Sequence, residues 1–237
     1  MRSRALTTLL FLVSAFAAPV TPPVTPKEAL QAIQARMDKA ASEFKTMTAN
    51  VTNLTHTDVI NENSIESGTV TMKKVAAGEV QGLINFLNPD KRTVAFEKRR
   101  LRIYYPKLKT VQEWDLGKHG EQLDQFLMIG FGTSGTSLAK DYDMTVLPTE
   151  TLKNPEAVQT IRLRLVPKTG EARDYVKQLE LWIPETGDPY PIREKISAPS
   201  GDYRQITYTN LHTNVPLPAD ALQLRTPDGV VTEHPGK

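Results

Sequence analysis

The chain has no cysteine in its 237 residues, which excludes disulfides, thiolate metal sites and cysteine nucleophiles together and leaves stability to a packed core. Long apolar runs are also missing. The one such run, Ala5 to Ala17, is about a dozen residues, short of the roughly 20 that a spanning helix needs. It follows Met1-Arg2-Ser3-Arg4 and ends in small residues, Ala15 and Ala17, the pattern of a cleavable secretory signal over 1–17. Cleavage after Ala17 leaves no cysteine nearby to take a lipid anchor, so an exported chain free of the membrane is expected. A charge excess is absent too. Two of the 29 basic residues, Arg2 and Arg4, belong to the signal, and the other 27 equal the 27 acidic ones. Nucleic-acid binding needs a concentrated basic footprint, and none is present.

Catalytic constellations are equally scarce. His56, His119, His212 and His234 lie far apart, none at a metal-pair spacing from another. Asp141 and Asp143 could share a cation or a proton, but no loop of alternating acids with a closing glutamate surrounds them, and a solvated turn is the better reading. Ser134 is followed directly by glycine, so it does not form a nucleophile elbow. Gly130-Phe131-Gly132-Thr133-Ser134-Gly135 has the glycine spacing of a dinucleotide-binding turn, without the strand before it and long helix after it that such a turn requires. It is read as a flexible loop. No enzyme activity, cofactor or metal is therefore expected. Lys98, Arg99, Arg100, Arg102, Lys107 and Lys109 form the densest basic group; a solvated hairpin edge accounts for them, with acidic headgroups or a partner's acidic rim as the alternative. Asn50 and Asn53 begin Asn-x-Thr triplets but are read as ordinary strand residues.

What is present is periodicity. Residues 18–26 form a proline-rich leader, and the folded part, 27–237, is expected as one domain. Leu30, Ile33, Met37, Ala41 and Phe44 recur at helical spacing. From about Ala49 the period becomes two. Strands are expected at Gly68 to Val75, around Ile84, Phe86, Val94 and Phe96, at Leu101 to Tyr105, and at Val158 to Val166, Lys177 to Ile183 and Ile192 to Ala198. Tyr203 to Leu211 is expected to close the sheet, with a last strand at Leu222 to Leu224. Turns fall at Asn61 to Asn63, Ala77-Gly78, Asn88 to Asp90 and Lys98-Arg99. Leu123, Phe126, Leu127 and Met128 mark a short internal helix over Glu121 to Ile129, and a second short helix is expected near Leu138. Consecutive hairpins with so few helices make a large curved sheet with one apolar face, a container for acyl chains.

This order of elements resembles the LolA-type periplasmic lipoprotein carriers and their lipid-binding relatives over about Lys27 to Val231. The resemblance is carried by Ser42-Glu43-Phe44-Lys45 at the end of the first helix, the glycine-led strand Gly68 to Lys74, Leu101-Arg102-Ile103-Tyr104-Tyr105-Pro106 followed by Val111, the segment Leu123 to Ile129 at the place of a lid helix, and Arg225-Thr226-Pro227-Asp228-Gly229-Val230. It implies a mainly β fold with α, an incomplete, half-open antiparallel β-barrel capped by an N-terminal helix and an internal helical lid. It also implies a periplasmic, monomeric carrier that takes an acylated lipoprotein or lipid from an inner-membrane lipoprotein-releasing transporter to an outer-membrane acceptor. The family's latch arginine is matched here by Lys74, followed by Val75 where the family has proline. Strand parity assigns Val70, Met72, Ile84, Phe86, Val94, Phe96, Leu101, Ile103 and Tyr105 to the ligand-facing side, with Phe44, Phe126 and Leu127 from the helices.

Overall fold

The computed structural model describes residues 25–76, 79–117, 120, 127–153 and 155–235. The segments expected as signal peptide, most of the leader, the Ala77-Gly78 turn and most of the internal helix, with His119 and Phe126, lie outside them. Helix α1 (Pro26–Glu43) opens with a capping box: the Thr25 hydroxyl accepts from the Glu28 amide, and the Glu28 carboxylate accepts from the Thr25 amide. Proline at the first helical position loses nothing there, since that amide has no partner in the helix. The apolar stripe buries Ile33, Met37, Ala40 and Ala41.

Two antiparallel meanders follow. The first consists of β1 (Thr46–Thr57), β2 (Glu62–Ala76), β3 (Glu79–Asn88), β4 (Arg92–Glu97), β5 (Arg100–Tyr105) and β6 (Thr110–Asp115). After α2 (Gly135–Asp141) comes the second: β7 (Tyr142–Lys153), β8 (Ala157–Pro167), the short α3 (Gly170–Arg173), β9 (Gln178–Pro184), β10 (Arg193–Ser197) and β11 (Tyr203–Thr213). A last strand, β12 (Val231–Glu233), pairs parallel to β6. All twelve belong to one sheet of order β12-β6-β5-β4-β3-β2-β1-β11-β10-β9-β8-β7, with β12 and β7 left as free edges. The sheet is an open barrel with helices packed against it, as the resemblance implies.

Two expectations are corrected and one strand is added. Tyr203 to Leu211 does not close the sheet: β11 lies at its middle, joining the two meanders through twelve-residue β1. The last strand is Val231–Glu233, while Leu222 to Leu224 is not strand. And β7 escapes the alternation reading. As an edge strand it pairs on one side only, so it tolerates Pro148 in an irregularity between Leu147 and Glu150, and charged residues that blur its period. The Lys98-Arg99 connection is found where expected, both residues at positive φ (49° and 62°), the twist that a two-residue hairpin loop requires.

Two apolar clusters form the core. One gathers Phe44, Met47, Val70, Met72, Phe96 and Phe131 between α1 and the first meander; the other gathers Ile33, Met37, Leu138, Leu163, Leu165 and Leu181 under α1 and α2. The face of the first meander opposite the first cluster is not wholly solvated, for Leu83, Ala95, Tyr104 and Val111 on it are also buried. Among the described residues no helix is long and apolar enough to cross a membrane.

Candidate functional site

Register fixes what parity only suggested. Val70, Ile84, Val94 and Ile103 pair in one row across β2 to β5, and Met72, Gly82, Phe96 and Leu101 in the next. Phe86 and Tyr105 continue the same face two residues further along their strands. The sheet thus brings the nine strand positions together, and Phe44 from the end of α1 and Leu127 join the cluster packed on them. Their covering is uneven. Phe44, Val70, Met72 and Phe96 are buried beneath α1, whereas Ile84, Phe86, Val94, Leu101, Ile103 and Tyr105 are only half-buried. The uncovered part of the trough therefore lies toward the β3–β4 and β5–β6 hairpin tips.

Lys74 shares this face through its pairing with Val80. Its ammonium donates to the Ala41 carbonyl at 3.2 Å, one of the last-turn carbonyls a helix leaves unpaired. It ties β2 to the end of α1.

The glycine-rich segment 130–135 is not a free loop, and the expectation of flexibility is corrected. Phe131 is 2% exposed and sits among three rings: Phe44 at 6.1 Å, Tyr190 stacked at 5.9 Å, and Tyr208 edge-on at 5.4 Å. Glycines permit this burial. Gly130, at φ +81°, backs onto Pro191 so closely that a Cβ would stand 2.6 Å from its Cγ, and Gly135 lies against the Gln34 backbone. Asp38 on α1 accepts from the Thr136 amide and hydroxyl at 2.9 and 2.6 Å, fastening the start of α2. Composition alone reads such a segment as loop; the only sequence signal for its burial is the aromatic between glycines.

Glu194 escaped the sequence reading as well. It pairs with Leu181 and Ile206, which turns it inward. Its Oε1 is sealed from solvent without a hydrogen-bond partner. Burial pushes the carboxyl up to about 8, opposed by a hydrogen bond with Tyr208, whose own hydroxyl burial, then the Glu194 charge, raise well above its ordinary value. A cleft of about 1080 Å³ opens beside the glycine-rich segment and α2, lined in part by Ala41, Ile129, Leu138, Tyr142, Ala172 and Val176, at the upper end of ligand-pocket sizes.

The other motifs do not gather. Asp141 and Asp143 are exposed, His56 stacks on Tyr203 at 4.8 Å, and among the described residues no group of three or more His, Asp or Glu could hold a metal. Ser134 caps α2, its hydroxyl accepting from the Ser137 amide. The basic group is partly neutralised: Arg102 pairs with Glu97, Lys107 with Asp90, and Arg100 with Glu113 at 3.9 Å.

No family model and no curated protein matches the chain. Solved structures do. The structure of MucB, a protein also matched in a Pseudomonas aeruginosa complex with MucA, is 15% identical with TM-score 0.51; the match covers 83% of this chain and 63% of that one, so the chain spans under two thirds of MucB. An uncharacterised conserved protein from Thermus thermophilus is 14% identical with TM-score 0.50, over 87% of this chain and 99% of the other. A LolA superfamily protein from Nitrosomonas europaea matches at 12% identity and TM-score 0.39, over 82% and 97%, a likeness of outline only. At these identities what this chain shares with MucB and with the Thermus protein is the fold, an open curved sheet with helices against its inner face.

Proposed function

We propose that the protein is a non-enzymatic periplasmic carrier that holds the acyl chains of a lipoprotein against the inner face of its sheet and moves them from the inner to the outer membrane. The observation that carries this reading is the half-covered apolar row Ile84, Val94 and Ile103, with Phe86, Leu101 and Tyr105 beside it, in a sheet that does not close on itself. Sequestration is favourable because each buried methylene contributes about 0.8 kcal/mol, roughly 10 kcal/mol for a chain of about a dozen. No covalent step is required. The buried Phe44, Val70, Met72 and Phe96 extend the same surface beneath α1, where entry of a chain would have to displace the helix or the Phe131 segment. Leu127, and Phe126 from the family resemblance, are assigned to that movable cover. Lys74, bonded to the end of α1, is assigned as its latch. An inner-membrane releasing transporter and an outer-membrane acceptor are the partners this role needs.

Native mass spectrometry of protein taken from its own periplasm tests the reading. A co-purifying acylated polypeptide supports it; a free diacyl lipid alone favours a carrier of free lipid or glycolipid. A second reading, a protein-docking module in envelope-stress sensing, draws on the likeness to MucB, matched also in complex with MucA. Failure of the purified protein to bind any fluorescent acyl probe would favour that module.

A further inference from the structure

Toward the hairpin tips the trough ends in a polar cluster for which acyl chains have no use. Arg92 pairs with Phe86 across β3 and β4, which puts it on the inner face, and its guanidinium lies 4.0 Å from the centre of the Phe86 ring. Both its terminal nitrogens donate to Glu66, one of them at 2.9 Å. These bonds hold the Glu66 carboxyl below its ordinary value and raise the guanidinium, so both partners stay charged. Asn53, 8% exposed, pairs with Glu66 across β1 and β2 and donates to it from Nδ2 at 3.3 Å. A carboxylate only accepts, so the amide must turn its nitrogen to Glu66. That leaves the Asn53 Oδ1 sealed from solvent with no donor.

The Glu66 and Arg92 charges cancel, while the cluster keeps an orphan acceptor, a carboxylate, a guanidinium and an aromatic face. Hydroxyl groups, which donate and accept at once, suit this mixture. A phosphate would face the Glu66 carboxylate, and the nearby cation Arg204 is exposed and screened. We propose that Asn53, Glu66, Arg92 and Phe86 form a headgroup subsite for an uncharged, hydroxyl-bearing head, a sugar or glycerol, whose acyl chain lies along Ile84, Val94 and Ile103. This rests on the acyl-binding reading of the inner face.

The experiment is competition of a fluorescent acyl probe by dodecyl maltoside and by dodecyl phosphate, each below its micellar concentration. Wild-type protein is expected to prefer the maltoside about fivefold or more, and Asn53→Leu to reduce that preference to about twofold or less, the scale of one or two neutral hydrogen bonds. Glu66→Gln, which frees the Arg92 charge, should move the preference toward phosphate and serves if Asn53→Leu does not fold. Equal binding of the two heads, or a phosphate preference in the wild type, overturns the subsite while leaving chain binding intact. Failure of both compounds to displace the probe overturns the subsite together with the inner-face reading.

Discussion

A carboxyl buried without a full set of partners holds its proton to high pH, and Glu194 does so where the turn at Gly130 meets β10. Its folded value, about 8, stands above the ordinary 4.5, so the folded state binds more protons than the unfolded chain between those values. Stability should be highest below the ordinary value and decline as pH rises toward 8, by a few kcal/mol at most. Urea melts from pH 5 to 9 check this: Glu194→Gln is expected to flatten the decline, and an equal decline in the variant would assign it to other groups. Phe131 gives a second residue-scale expectation. Its removal from the three-ring cluster in Phe131→Ala should cost about 3–5 kcal/mol and lower Tm by roughly 10 °C, whereas a flexible-loop residue would show almost no change. Neither residue was legible beforehand. Phe131 was hidden by the glycines that allow its burial, and Glu194 reads as an ordinary charged strand position until its neighbours across β9 and β11 are known. By contrast, the shared face of the nine strand residues from Val70 to Tyr105 was legible because a period of two transmits facing along a strand without knowledge of its partners.

Among the elements, α1 is tied to the sheet by the Lys74 ammonium on the Ala41 carbonyl and by Arg36, which donates to the Pro184 carbonyl of β9 at 2.8 Å. The Asp38 carboxylate on Thr136 ties it to α2. Lys74→Met should therefore raise hydrogen exchange in the last turn of α1 and speed release of a bound acyl probe; faster exchange without faster release would make Lys74 a structural tie and not a latch. Hairpins of the first meander were readable from local turns such as Lys98-Arg99. The pairing of β1 with β11 and of β12 with β6 was not, because it joins residues more than a hundred positions apart and leaves no local signal. Edge strand β7 was lost for a related reason, since one unpaired side relaxes the demand for alternation.

At the scale of the molecule, binding on the inner face requires the sheet to stay open, with β7 and β12 as its free edges and the first meander's inner face only partly covered by α1 and the Phe131 segment. Trp114 lies on that face, paired with Leu101, whereas Trp182 points the other way, paired with Arg162 and Arg193. With Trp182→Phe, Trp114 becomes the sole tryptophan and a reporter of the trough. Titration of this variant with an acyl chain brominated along its length is the most direct measurement. Saturable quenching of Trp114, relieved by the unbrominated chain, is predicted; bound brominated chain with undiminished Trp114 emission would contradict the placement of the ligand on the inner face.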